Sequence, residues 1–228
     1  MPVSPGSHTR DHRSLLAAAE KQLLVAIARR LPSGVHSDHL SLLAFGSMAV
    51  VGTSFAMSPS PWSVAGVIGG LAANWFGDSL DGTLARVRGH ERPRFGYYVD
   101  HAIDLAGATA LFAGLACSGL MSPLMAMATL AAYLLVSAEV FLATHSTGVF
   151  RMSSLGVGPT ELRLLLIAGV LSAARDPFVD VPWLGAHRLF DVGGAVALAG
   201  FGWTFLASTV RHTRALYALE PLPAARRS

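Results

Sequence analysis

The sequence contains little charge and a single cysteine. Charged residues make up 14% of its 228 residues, whereas about 25% is usual in soluble domains. The lone Cys117 excludes an intramolecular disulfide framework and cysteine-rich zinc or iron–sulfur sites. Hydrophobic residues reach 52% and the mean hydropathy is +0.49, which excludes a disordered chain. The class that remains is a polytopic membrane protein, whose apolar faces are covered by lipid.

Long apolar segments predict an all-α fold with a bundle of six transmembrane helices. Most segments approach the roughly 20 residues that cross about 30 Å of hydrocarbon. The fifth is short, and proline-containing breaks separate several of them. We place the six segments at about 39–57, 62–85, 96–120, 123–143, 160–174 and 189–210.

The sequence before the first segment predicts a separate surface helix. Residues 1–10 have the composition of a disordered tail, and 11–34 carry leucines at three- and four-residue spacing among charged residues. Such an amphipathic helix lies on a membrane surface or packs on the cytosolic face of its own protein, and the sequence leaves both open. The six-helix membrane domain is expected at 35–214 and a cytosolic tail at 215–228.

Basic residues predict the orientation of the bundle. They concentrate in the N-terminal helix, the second-to-third loop and the C-terminus, whereas the loops at 57–61 and 118–123 carry no charge. Because cytoplasmic loops carry excess Lys and Arg, both termini are expected in the cytoplasm, in a bacterial cell membrane. No nucleic-acid partner is expected, since the arginine clusters lack interleaved aromatic residues and a known nucleic-acid module.

Four aspartates mark the cytosolic ends of the second and third segments. Asp78 and Asp81 are three residues apart, and Asp100 and Asp104 are four apart, so each pair shares a helix face. A loop of about ten residues joins two antiparallel neighbours. The sequence therefore predicts that the four carboxylates converge at the membrane edge.

Such a cluster requires positive charge, because carboxylates at a membrane are costly and repel one another. One or two divalent cations would offset both the cost of placing the carboxylates at the membrane and their mutual repulsion. All-oxygen ligation favours Mg²⁺, Mn²⁺ or Ca²⁺ over Zn²⁺. Two such ions are a common way to bind a pyrophosphate and stabilise displacement at phosphorus.

Small and basic residues follow the first aspartate pair. Gly82 within a helix indicates either close approach of a ligand or close helix packing, and taken alone it favours packing. Ala85 extends the small surface. Arg86 suits a phosphate oxygen, although a lone arginine there more often snorkels to the interface.

The complete pattern resembles the signature of the CDP-alcohol phosphotransferases, also called CDP-alcohol phosphatidyltransferases. It reads D-x2-D-G-x2-A-R-x9-G-x3-D-x3-D from Asp78 to Asp104, with Gly96 as its second glycine. All eight signature positions are present. The six-segment layout extends the resemblance over most of the chain.

The resemblance implies a reaction and a role for each signature residue. Members of this family transfer a phosphoalcohol group from a CDP-alcohol to an acceptor hydroxyl and release CMP. By position, the metal ligands would be Asp78, Asp81, Asp100 and Asp104, holding Mg²⁺ or Mn²⁺, expected as two ions, and Asp104 would also be the catalytic base. The CDP-alcohol would be bound by Gly82, Ala85 and Arg86.

Other polar residues are candidates for binding the acceptor. Glu161 and Arg163 open the fifth segment, Arg151 lies in the loop before it, and His101 follows Asp100. Ionisable groups at membrane depth are functional candidates, but a structural Glu–Arg pair and a histidine packed on a neighbouring helix are the alternatives. Asn74 could donate to the nucleotide, although helix–helix hydrogen bonding is commoner.

Several alternatives remain at this level. The phospholipid-biosynthetic donor is expected to be CDP-diacylglycerol with a small polar acceptor, or else CDP-choline or CDP-ethanolamine with diacylglycerol. A cation transporter would also place carboxylates in a bundle, and a non-catalytic scaffold would tolerate their loss. Membrane lipids are expected partners, and the resemblance admits a homodimer.

Overall fold

The computed structural model describes residues 15–147 and 159–222, with side chains from residue 20 onward. These ranges contain seven helices and one two-stranded hairpin. Residues 1–14, 148–158 and 223–228 lie outside them, so the predicted tail at 1–10 and the acceptor candidate Arg151 do too. In chain order the elements are α1 Leu15–Arg30, α2 Ser37–Ala56, α3 Pro61–Arg88, α4 Pro93–Cys117, α5 Pro123–Thr147, α6 Pro159–Ala173, β1 Phe178–Val181, β2 Gly185–Arg188 and α7 Leu189–Leu219.

The predominantly helical class is confirmed, and each of the six apolar segments corresponds to one helix, α2 to α7. Four of them, α2, α4, α5 and α7, are long and apolar enough to cross a membrane. α6 has only 15 residues, and α3 carries Asn74 at its middle and the charged residues of the signature in its second half. α7 continues to Leu219, beyond the predicted end of the membrane domain.

α3 and α4 meet at a tight connection. Gly89 ends α3 with φ 67°, a left-handed conformation that glycine adopts without strain. Pro93 opens α4, where its fixed φ suits a first helical position. Only residues 89–92 lie between the helices, fewer than the ten or so expected, because both helices run past their predicted ends. We call this end of the bundle the acidic end.

Glycines let α2 approach α3 and α4 closely. A Cβ on Gly77 of α3 would lie 2.6 Å from the carbonyl oxygen of Leu40, and one on Gly114 of α4 would lie 2.0 Å from that of Gly52. Neither position has room for a side chain. The apolar core lies beside these contacts, around buried residues that include Val51, Phe55, Val67, Leu71, Leu111 and Leu115.

The N-terminal helix packs on the protein at the acidic end. Leu24 and Ala28 of α1 are buried in a second cluster with Leu40 of α2 and with Leu80 and Leu84 of α3. Polar contacts strengthen this packing. They are the Trp75 Nε1 bond to Glu20 Oε1 at 2.8 Å and the Arg88 bonds to the carbonyl oxygens of Leu31, Pro32 and Val35. Of the two locations predicted for this helix, the structure supports packing on its own protein.

The two-stranded hairpin between α6 and α7 departs from the predicted all-α fold. β1 and β2 pair antiparallel, with Phe178 opposite Arg188 and Val181 opposite Gly185. The sequence contains the cause, since β-branched Val179 and Val181 alternate with other residues just before a proline-containing turn. We call this opposite end of the bundle the hairpin end. There Asp191 of α7 accepts hydrogen bonds from the backbone and hydroxyl of Ser122.

Candidate active site at the acidic end

Asp78 is held by an arginine from another helix. Arg163 of α6 donates to Asp78 Oδ2 at 2.6 Å and, through Nε, to Asn74 Oδ1 at 2.9 Å. Asn74 is buried and donates to the carbonyl oxygen of Ala44 on α2 at 3.1 Å. This chain of bonds links three helices, so Asn74 has the helix–helix role that the sequence favoured for it.

Asp81 is bound from two sides and repelled by its neighbours. Its Oδ2 accepts a hydrogen bond from Ser41 of α2 at 2.6 Å, and its Oδ1 accepts the backbone N–H of Gly82. Asp78 and Asp100 both repel it electrostatically. Asp78 and Asp100, from the two sides of the tight connection, therefore both act on Asp81, whereas the convergence of all four carboxylates stays a prediction.

The second aspartate pair of the signature faces α5. Asp100 and Asp104 both act electrostatically on Tyr133 of that helix. Asp104 is exposed and Asp100 is partly exposed, in contrast with the mostly buried Arg163, whose side chain is 13% exposed. Asp104 is therefore accessible to an incoming molecule, whereas Asp78 is held by the mostly buried guanidinium of Arg163.

Gly82 and Gly77 differ in what surrounds them. The atoms nearest to a Cβ on Gly82, among the described residues, belong to the guanidinium of Arg86, at 3.4 Å and beyond. A Cβ on Gly77 would instead meet the backbone of α2. These surroundings favour ligand approach at Gly82 over the helix packing that the residue taken alone suggests. Gly77, five residues earlier, is the glycine that packs against α2.

A cavity of about 370 Å³ lies next to the signature. Ala85 lines it together with Arg88 and with His36 at the start of α2. Because Ala85 is four residues after Asp81, the two share a helix face. Arg86 turns towards the helix surface, where it donates to Thr83 Oγ1 at 3.2 Å. Of the three residues predicted to bind a nucleotide, Ala85 therefore lines this cavity, while Gly82 and Arg86 contact each other beside it on α3.

The acceptor candidates separate into different environments. Arg163 lies at the site through Asp78. Glu161 is exposed on the first turn of the same helix. His101 packs its ring against Tyr97 and Phe141, at centroid distances of 4.2 and 5.2 Å, and its Nδ1 lies 2.7 Å from the Tyr97 carbonyl oxygen. That arrangement matches the helix-packing alternative for His101.

Sequence reasoning missed two contacts near this site. Ser41 binds Asp81, but a serine in the first turns of a helix carries no signal of its own. His212 of α7 lies 2.6 Å from Glu139 of α5, both largely buried. The available signal was position, since each residue lies about two turns before the end of its helix at the acidic end.

The donor set fits a hard divalent cation in kind. Carboxylate oxygens are the ligands that Mg²⁺ and Mn²⁺ prefer, and the repulsion on Asp81 is what a bound cation would relieve. Within residues 15–147 and 159–222, however, no three His, Cys, Asp or Glu side chains are close enough together to hold an ion. Arg163 supplies the positive charge at Asp78 instead.

Fold and site together define a helical membrane enzyme whose four signature aspartates lie on two neighbouring helices, α3 and α4. The chain belongs to the CDP-alcohol phosphatidyltransferase family, whose sequence model matches residues 36–208. It is accordingly a transferase of substituted phosphate groups. The match covers α2 to α6, the hairpin and most of α7. Because members of this family are transferases, the membership argues against the transporter and scaffold alternatives.

A solved relative has the same fold. The chain is similar to the phosphatidylinositol phosphate synthase of Mycobacterium tuberculosis, whose crystal structure contains CDP-DAG, with a TM-score of 0.61 and 19% sequence identity. The alignment covers 84% of this chain and 94% of that one. A comparison with curated protein sequences found no match.

Proposed function

We propose that the protein transfers a phosphatidyl group from CDP-diacylglycerol to the hydroxyl of a small polar acceptor and releases CMP. The observation that supports it best is the position of Asp81, which Asp78 of α3 and Asp100 of α4 both repel, next to Gly82, whose nearest described neighbour is the guanidinium of Arg86. An anionic pyrophosphate could bind there only with cations to neutralise it. The related synthase solved with CDP-DAG supports this choice of donor.

The four signature aspartates are the proposed ligands of Mg²⁺ or Mn²⁺. Bound there, such ions would neutralise the pyrophosphate and the CMP leaving group. Ser41 fixes the orientation of Asp81, and Arg163 fixes that of Asp78. The Ser41 contact lowers the conformational cost of presenting Asp81 to a ligand, whereas Arg163 occupies Asp78 Oδ2 and would compete there with a bound cation.

The nucleotide is assigned to the surface formed by Gly82, Ala85 and Arg86. Gly82 allows an atom of the ligand to approach the helix backbone, and the adjoining cavity offers volume for a polar group. The guanidinium of Arg86 lies beside Gly82, where it would pair with a phosphate oxygen.

Asp104 is the proposed general base. An acceptor hydroxyl has a high pKa and needs a base within hydrogen-bond reach when it attacks. Its oxygen forms the new bond to phosphorus, the bond from phosphorus to the CMP oxygen breaks, and the hydroxyl proton passes to the Asp104 carboxylate. The exposure of Asp104 leaves it accessible to an acceptor arriving from water.

Arg151, Glu161, Arg163 and His101 remain the proposed acceptor-binding residues. Arg163 has the strongest case, because its guanidinium already reaches Asp78 at the proposed reaction centre. An arginine can hold a phosphate or a hydroxyl oxygen of an acceptor through the N–H groups that Asp78 and Asn74 do not use.

All six helices α2 to α7 are proposed to cross a bacterial cell membrane. α3 and α6 would cross within the bundle, with the acidic end and both termini in the cytoplasm. The catalytic domain is assigned to 35–214, with α1 of the 11–34 segment at the cytoplasmic surface and tails at 1–10 and 215–228. The acyl chains of the donor would lie in the bilayer while its head reaches the aqueous acidic end.

The test is CMP release by purified protein in lipid vesicles. CDP-diacylglycerol and Mg²⁺ or Mn²⁺ would be supplied with and without each member of a panel containing glycerol phosphate, serine, inositol and inositol phosphate. We expect acceptor-dependent CMP release that a chelator abolishes. The Asp81→Asn variant should lose metal-dependent donor binding, whereas Asp176→Asn at the hairpin end is the matched control.

The outcomes discriminate between the two donors. If no acceptor gives CMP release with CDP-diacylglycerol, but CDP-choline or CDP-ethanolamine gives it with diacylglycerol, the lipid is the acceptor and not the donor. Release that persists in chelator would contradict the proposed metal dependence.

A further inference from the structure

The tip of the β1–β2 hairpin exposes apolar side chains. Trp183 is fully exposed, and Leu184 and Phe178 have relative exposures of 71% and 53%. The tip residues 182–184 carry no charge. Asp180 of β1 is exposed two residues before Pro182. At the base of the hairpin, Arg188 approaches Asp191 at 3.9 Å and Asp176 accepts the backbone N–H of Phe178.

Trp183 occupies a backbone conformation that does not suit it. Its φ is 72°, in the left-handed region that bulky side chains rarely adopt. Glycine or asparagine would serve a turn there at lower cost. The turn itself therefore gives no reason for tryptophan. The side chain neither packs on the described protein nor relieves the turn, so its role lies outside the fold.

Helix lengths place the hairpin at a particular depth. The 15 residues of α6 span about 22 Å, roughly 8 Å less than the hydrocarbon thickness. The hairpin therefore begins near the outer boundary of the hydrocarbon, not far out in water. A two-stranded hairpin has unpaired backbone edges, which hydrocarbon does not tolerate. The headgroup layer satisfies both conditions, since it offers water to the edges and apolar chains to the tip.

A second tryptophan lies at the same end of the bundle. Trp62, in the first turn of α3, is 80% exposed. Tryptophan is enriched where headgroups meet hydrocarbon because its ring is apolar and its N–H is polar. The tip is also too small for a stable protein interface, which needs about 800 Å² from each partner. Lipid is therefore the occupant that fits.

We propose that the hairpin tip docks in the headgroup layer of the outer leaflet, with Trp183 and Leu184 inserted. This proposal rests on the six-crossing arrangement of the proposed function. The inserted tip anchors the start of α7 at the membrane surface, next to the end of the short α6.

The test measures the environment of Trp183 by fluorescence. The full-length protein and its Trp183→Phe variant are reconstituted in phosphatidylcholine–phosphatidylglycerol vesicles, with bromine on the lipid chains at a shallow or a deep position. The difference between the two emission spectra isolates Trp183. We expect blue-shifted emission that the shallow bromolipid quenches at least about twofold more than the deep one, as the interfacial preference of tryptophan requires.

Two outcomes would overturn the proposal. Water-like emission, quenched by iodide and not by bromolipid, would leave the tip in solvent. Emission quenched by neither agent would bury the tip against protein, such as a second copy. Trp62→Phe is the depth control: if Trp62 also reads as aqueous, the six-crossing arrangement fails and the hairpin inference with it. CMP release by Trp183→Phe should stay unchanged, which separates this test from the proposed reaction.

Discussion

The α2–α3–α4 half of the bundle and the α5–α6–α7 half are held together differently. In the first half the helices meet backbone to backbone, at Gly77 and at the Gly52–Gly114 contact. In the second half they meet through side chains. Gly194 of α7 faces the methionine side chains of α5 and its preceding turn, and Glu139 pairs with His212.

In the proposed function, the first half carries the signature aspartates and the second half contributes the acceptor candidates Glu161 and Arg163. Backbone contacts fix the spacing between helices irrespective of nearby side chains, so the signature aspartates keep their positions. Side-chain contacts can be exchanged for others with less effect on helix spacing. Arg163 connects the halves, because it extends from α6 to Asp78 on α3.

The largest effect is expected from Asp104→Asn. The amide keeps the shape of the side chain but cannot accept the hydroxyl proton, so CMP release should fall by at least about a hundredfold. Donor binding should fall less than in Asp81→Asn, because three of the four proposed metal ligands remain and Asp104 is the one proposed to act on the acceptor. Calorimetric titration with a CDP-alcohol in Mg²⁺ would test binding beside the activity assay. Full turnover by this variant would remove Asp104 from the mechanism.

The packing of α1 on α3 predicts a large effect of Leu24 on the free energy of unfolding. Leu24 is 6% exposed, whereas its neighbour Leu23 is 53% exposed. Leu24→Ala should cost about 2–5 kcal/mol in the free energy of unfolding, since it opens a cavity against Leu80 and Leu84. Leu23→Ala is the matched control, and thermal unfolding in one detergent compares the two. Equal midpoints would mean that α1 does not support α3 in solution.

Gly77 and Gly82, five residues apart on α3, test whether backbone contacts hold the α2–α3–α4 half together. Gly77→Ala should lower stability by about 1–3 kcal/mol, because the new Cβ has no room against the α2 backbone. Gly82→Ala should leave thermal stability unchanged or raise it, since alanine favours helix, yet weaken CDP-alcohol binding. Unfolding midpoints and nucleotide titration are measured on both variants. If both variants lose stability alike, Gly82 is a packing residue after all.

Much of the α2–α3–α4 half was predictable, because its signature residues lie close together in the sequence. Asp78 to Asp104 lie on two consecutive helices, so periodicity alone predicts which of these residues share a helix face. Contacts of the other half join residues far apart in the chain, such as Arg163 with Asp78 and His212 with Glu139. No spacing rule predicts which distant helices become neighbours. The hairpin was missed for another reason, since four-residue strands between long apolar segments read as a loop.

The smallest effect is expected from loss of the Arg163–Asp78 ion pair, which joins the two halves of the bundle. Removing the guanidinium in Arg163→Gln leaves Asp78 beside two other carboxylates, and because water reaches Asp78, the cost in metal-free buffer should be about 1 kcal/mol. Without this competing cation, Mg²⁺ should bind more tightly and raise the unfolding midpoint further than in the unmodified protein. Arg188→Gln, which loosens an exposed pair at the hairpin end, is the control and should show no such gain. An identical Mg²⁺ response in all three proteins would mean that Arg163 and the metal do not share Asp78, and that the two halves of the bundle are coupled by packing alone.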